Sequence, residues 1–139
     1  MLAKIPEIVG QIPYLKLLVL FGSRARGDSH FQSDWDFAVL FDENLRKQYE
    51  QGSFSPCRSR GILQDCLDLS DDQIDVVELN RCDELLLHRI AQDGKLLYEQ
   101  DKGEFDGFKR KHIKNPEQLK QWRAETNKKI VENLQSLQQ

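Results

Sequence analysis

Gly22-Ser23-Arg24-Ala25-Arg26-Gly27-Asp28, with Asp34-Trp35-Asp36 following ten residues after Ser23, is the stretch that decides how this 139-residue chain reads. Upstream, Tyr14 to Phe21 is apolar apart from Lys16 and is expected to form a buried strand, which Gly22-Ser23 breaks. Ser23 is placed to cap a short helical turn through Arg24-Ala25-Arg26, closed by Gly27. Downstream, a second strand is expected from about Asp34 to Phe41. It is almost continuously apolar after Asp36, as suits a central strand covered on both faces.

Chemistry follows from that layout. A strand that ends in Gly22-Ser23 and opens a helical turn offers backbone N–H groups and a hydroxyl to an anion, and glycine lets a phosphate approach the main chain closely. Arg24 and Arg26 on the same turn either contact the phosphates or are merely solvated. Asp34 and Asp36 are two apart on a strand, so their side chains leave one face, roughly 7 Å apart at the backbone. Asp75, near the start of the apolar run Ile74 to Leu79, is a third carboxylate able to reach the same point. Three ionised carboxylates within about 4 Å would repel by roughly 4 kcal/mol per pair at an effective dielectric near 20. Such a cluster calls for a divalent cation, and oxygen-only ligands favour Mg²⁺ or Mn²⁺. Two ions about 4 Å apart would activate an attacking oxygen and stabilise a departing pyrophosphate. Asp75 then suits the general base.

The remaining elements follow from hydrophobic spacing. Ile5, Ile8, Val9 and Ile12 behind Pro6 predict an N-terminal helix stopped by Gly10 and Pro13. A helix is expected near Asn44 to Gln51, then a loop at Gly52-Ser53-Phe54-Ser55-Pro56, then a helix carrying Ile62, Leu63, Cys66, Leu67 and Leu69. Glu84 to Ala91 reads as a helix and Lys95 to Tyr98 as a short edge strand. Leu119, Trp122, Ile130, Leu134 and Leu137 share one helical face in a C-terminal segment that packs on the body or meets a partner. The expected architecture is an α/β fold of the α+β kind, a small mixed sheet flanked by helices. The division is a domain over residues 1–102 with a helical extension over 103–139.

Composition narrows the function classes. Hydrophobic residues at 39% and charged residues at 31% suit one soluble globular domain. The longest apolar run is far short of the roughly 20 residues a membrane span requires, and the N-terminus lacks a secretory signal. A cytoplasmic protein is expected. Cys57, Cys66 and Cys82 form no C-x-x-C pair, and His30, His88 and His112 are scattered, which disfavours disulfides and a zinc site. A net charge of −3 gives no reason to expect direct nucleic-acid binding.

The motif phrases Gly22-Ser23-Arg24-Ala25-Arg26-Gly27-Asp28, Ser33-Asp34-Trp35-Asp36 and Ile74-Asp75-Val76-Val77 resemble the nucleotidyltransferase superfamily of DNA polymerase beta. The likeness is strongest to its smallest prokaryotic branch, the MNT-domain antitoxins paired with HEPN-domain toxins. It is specific over Leu15 to Leu79 and looser over Leu85 to Glu99. The resemblance implies that Ser23 holds a triphosphate, that Asp34 and Asp36 ligate metal and that Asp75 completes the triad. It further implies that the chain transfers AMP from ATP to a tyrosine of a cognate HEPN ribonuclease toxin and silences it. Trp35 departs from the small aliphatic residue usual between the two aspartates.

Rival readings are transfer to a small hydroxylated molecule such as an aminoglycoside, and an antitoxin that acts by binding alone with a vestigial site. Blander assignments attach to several single residues. Arg58 and Arg60 read as surface, Lys109-Arg110-Lys111-His112 as a solvated face, the Trp122 stripe as packing, and Asp71-Asp72 as a turn.

Overall fold

The computed structural model describes residues 2–27, 34–49 and 58–137, with side-chain surroundings given for 59–132 of the last span. Short apolar runs set the strands β1 (Leu15–Phe21), β2 (Trp35–Phe41), β3 (Ile74–Glu78) and β4 (Lys95–Glu99). They form one mixed sheet in the order β3-β2-β1-β4, with β1 antiparallel to both β2 and β4, and β2 parallel to β3. A parallel neighbour cannot be reached by a tight turn, so the chain crosses over between Phe41 and Ile74. That crossover carries α3 (Glu43–Tyr49) and α4 (Arg58–Leu67).

Both faces of the sheet are covered. On one face Leu18, Leu20, Phe37 and Val39 pack with Ile8 and Ile12 from α1 (Ile5–Gln11) and its end, and with Leu63 and Cys66 of α4. On the other, Leu17, Val19 and Ala38 meet Leu87 and Ile90 of α5 (Glu84–Asp93) and Phe105 of α6 (Glu104–His112). Phe37 is fully buried, and enclosing a side chain of that size contributes about 1.5–3 kcal/mol. This two-sided burial explains why β2 reads as a nearly continuous apolar run. Cys66 is a buried free thiol and Cys82 a half-buried one. Among the described residues no helix is long and apolar enough to cross a membrane.

The C-terminal segment is two helices, where a single apolar stripe was expected to make one. α6 ends at His112, capped by Ile113, and Asn115 restarts the chain as α7 (Pro116–Leu137). Asn115 Oδ1 accepts from Gln118 N–H at 2.8 Å while Gln118 Oε1 accepts from Asn115 N–H at 3.0 Å, a reciprocal cap with Pro116 in the first turn. Lys114 N–H also donates to His88 Nδ1 at 2.9 Å, pinning the joint to α5. Leu119 and Trp122 are half-buried and Ile130 is exposed, while the side chains of Leu134 and Leu137 lie outside the described residues. The loop at Gly52 to Pro56, Cys57, His30 and the side chain of Arg58 also lie outside them.

The start of α6 is fixed by a carboxylate. Glu99 Oε2 accepts from Phe105 N–H and Oε1 from Gly103 N–H, each at 3.0 Å, and these two bonds hold its pKa below the usual glutamate range. A folded pKa below the unfolded one means that stabilisation is present above the unfolded value and is lost as pH falls through the folded one. Glu99→Gln should therefore melt below wild type at pH 7. The gap should close below about pH 4, in paired thermal melts.

Candidate active site

Strand register assembles the site. Phe21, the last residue of β1, pairs with Asp36 on β2, and Asp36 pairs in turn with Asp75 on β3. Adjacent strands lie about 4.8 Å apart, so the end of β1, Asp36 and Asp75 form a row across the sheet. Asp36 lies on the α5 face of β2, two residues before Ala38, and Asp75 is likewise two residues before Val77 on β3. Asp34, exposed just before β2, precedes Asp36 by the same two residues. The odd-numbered residues of β2 face α4, so Trp35 packs into the opposite core cluster, away from the carboxylates.

At the end of β1 the chain turns sharply. Gly22 has φ 76° and ψ −159°, and a Cβ built on it would overlap Asp36 Oδ2. Ser23 then opens α2 (Ser23–Arg26), which Gly27 ends in the left-handed conformation. The two arginines of this turn diverge. Arg24 lies over the Trp35 ring at 4.2 Å from its centroid, whereas Arg26 faces Asp36. Burial, and next the negative charges of Asp75 and Asp34, push the Asp36 carboxyl above the ordinary aspartate range; Arg26 opposes them.

A pocket of about 330 Å³ sits on this row, lined by Phe21, Gly22, Ser23, Arg26 and Asp36 on the sheet side. Its other wall is α5, which contributes Leu86, Arg89 and Asp93. Asp34, Asp75 and Arg24 are not part of the wall. Sequence reasoning missed the α5 side chains. Their spacing of three and four residues, on the helix that follows the Asp75 strand, is the signal that places them on one stripe. A larger cleft of about 480 Å³ runs along the β3 edge between Ser59, Arg60, Arg81 and Asp83, and shares Leu86 with the first. It holds none of the three aspartates, whereas the smaller pocket holds Asp36.

The donors suit a hard divalent cation in chemistry, since all three are carboxylate oxygens and Asp36 already feels the charge of the other two. Among the described residues, no three Asp, Glu, His or Cys side chains close into a ready metal cage. The arrangement is thus a shared face with mutual repulsion rather than a finished coordination sphere.

Comparison with known proteins bears on the family and the fold. Residues 3–103 match the family described as polymerase beta, nucleotidyltransferase. The chain is 41% identical over 134 residues to protein adenylyltransferase MntA of Aphanizomenon flos-aquae (strain 2012/KM1/D3), covering 96% of this chain and 87% of that protein. In structure it is similar to a chain of a toxin–antitoxin crystallised with AMP-PNP, with TM-score 0.61 and 25% identity over 96% of this chain and 98% of that one. It is also similar in fold to a chain from the complex of tri-AMPylated Shewanella oneidensis HEPN toxin with MNT antitoxin. There the TM-score is 0.56 and the identity 22%, over 96% of this chain and 95% of that one.

Proposed function

The chain belongs to the polymerase beta nucleotidyltransferase family, and on that premise we propose that it is an antitoxin that transfers AMP from ATP to a tyrosine of a HEPN-domain toxin. The observation that carries the reaction is the register that sets Asp36 between the Gly22-Ser23 turn and Asp75. Kinship with a protein adenylyltransferase over nearly the whole chain supports a protein acceptor, and likeness to a toxin–antitoxin bound to an ATP analogue supports the nucleotide and the partner.

In this reading Gly22 and Ser23 cradle the triphosphate, with Arg26 beside them. Asp34, Asp36 and Asp75 would hold Mg²⁺ or Mn²⁺, which supplies charge neutralisation for the phosphates and a more acidic acceptor hydroxyl. The acceptor oxygen bonds to the α-phosphorus as the bond to pyrophosphate breaks, and Asp75 takes the phenolic proton. In-line displacement needs the acceptor opposite the leaving group. With the phosphate tail at the β1 end of the row, the acceptor arrives over β3, where the larger cleft adjoins Leu86. Residues 1–102 form the catalytic module and 103–139 the extension, of which α6 packs on α5. The reaction is placed in the cytoplasm, without nucleic acid as partner.

The test is mass spectrometry of a HEPN-domain toxin after incubation with the purified protein, ATP and Mg²⁺. The expected result is a gain of about 329 Da, one AMP, or a multiple of it on a tyrosine. Label appearing only on an aminoglycoside, or a neutralised toxin of unchanged mass, would reject this reading.

A further inference from the structure

The pocket contains a cation that the motif does not account for. Arg89 lies on the α5 wall facing Gly22, Ser23 and Asp36 and is itself exposed. Among the described residues it forms no ion pair, although Asp93 stands one turn further along the same helix and also lines the pocket. The other arginines of the site are engaged elsewhere, Arg24 on the Trp35 ring and Arg26 beside the Asp36 carboxylate. A planar guanidinium with five donors, set in a pocket beside a Gly-Ser turn, is matched to phosphate oxygens.

The lining of the pocket sets where Arg89 stands. α5 follows β3 after the short turn Leu79–Arg81, packs on β1 and delivers the chain to β4 at the opposite edge of the sheet. Leu86 comes early on that path and lines both pockets, Asp93 ends the helix, and Arg89 stands between them. That position is level with Asp36 and the Gly22-Ser23 turn rather than with Asp75.

We infer that Arg89 binds the β- and γ-phosphates of the nucleotide from the wall opposite Ser23, and so selects triphosphate over monophosphate. The inference rests on the nucleotidyltransferase reading of the pocket and adds to it a residue from outside the motif. During transfer Arg89 would hold the departing pyrophosphate, while Asp75 deals with the acceptor on the far side of the row. Leu86, between the two pockets, separates the phosphate tail from the acceptor cleft.

The experiment compares wild type, Arg89→Ala and Arg89→Lys for binding of a non-hydrolysable ATP analogue and of AMP, each with Mg²⁺, and for inhibition of transfer by pyrophosphate. Arg89→Ala should bind the triphosphate analogue about ten- to a hundredfold more weakly, the range expected for charged hydrogen bonds. Its AMP affinity should stay at the wild-type value, and pyrophosphate should inhibit it less. Arg89→Lys should recover part of the loss, because it keeps the charge without the fork. A purely structural role would weaken both nucleotides alike, and that result overturns the inference, as does an unchanged triphosphate affinity in Arg89→Ala. Wild type that binds neither nucleotide would overturn the proposed function and this inference together. Wild type that transfers AMP beside an Arg89→Ala variant with normal ATP binding overturns the inference alone.

Discussion

Asp36→Asn should lower AMP transfer by about a thousandfold or more, several kcal/mol of transition-state stabilisation, without lowering the melting temperature. The two halves of this expectation have one cause. Asp36 sits at the centre of the row, beneath Gly22 and beside Asp75, and its carboxylate is the donor most surrounded by the others. Burial and the neighbouring charges disfavour its ionised form, so at neutral pH the carboxylate is a cost to the fold rather than a support. An amide of the same shape removes that cost. It also removes the negative charge that a divalent cation requires. Single-turnover assays with labelled ATP would measure the first effect, and thermal melts at pH 7 in the presence of chelator the second. Transfer within tenfold of wild type would remove Asp36 from the catalytic centre. Full neutralisation of the toxin by a variant that transfers nothing would favour the binding-only reading instead.

Much of this site was legible in the sequence because it depends on local rules. The strand ending at Phe21, the turn at Ser23 and the strand opening at Trp35 follow from apolar runs broken by glycine, and each lies within a residue or so of its expected bounds. The pairing of Asp36 with Asp75 was not legible, since two strands joined by a long crossover carry no sequence mark of their register. The sharing of a face by Asp34 and Asp36 was readable from the strand period alone. The fate of Arg24 was not. Its stacking depends on Trp35 pointing to the α4 face, and an arginine on a short turn has several surfaces within reach. Arg89 escaped for a related reason. Within Glu84 to Asp93 it reads as one polar position of an amphipathic helix, and only the sheet order brings that position over the Gly22-Ser23 turn. The break between α6 and α7 carries a local mark in Asn115-Pro116-Glu117-Gln118, a capping residue with proline in the first turn and glutamine three residues after the cap, whereas the apolar stripe from Leu119 onward carries no sign of where its helix starts.

Gly22→Ala should damage activity far more than stability, and Gly27→Ala should do the reverse. Both glycines have positive φ, 76° and 86°, where an alanine is strained by about 1–3 kcal/mol. On that ground alone both variants should melt several degrees lower, given roughly 2–8 °C per kcal/mol for domains bracketing this size. They differ in what the new methyl meets. At Gly27 no heavy atom of the described residues lies within 4 Å, so against them strain is the effect that remains. At Gly22 the methyl would occupy the place of Asp36 Oδ2, the end of a rotatable side chain rather than backbone. The cheapest relief is to swing the Asp36 carboxylate aside, which spares the core and displaces the central donor. Gly22→Ala should therefore transfer AMP at least about a hundredfold more slowly, in the range for losing one positioned electrostatic group, while Gly27→Ala stays near the wild-type rate. Measuring melting temperature and single-turnover rate on both variants separates strain from displacement. Equal rate losses in the two would mean that turn conformation, and not the seat of Asp36 beneath Gly22, is what the glycines protect.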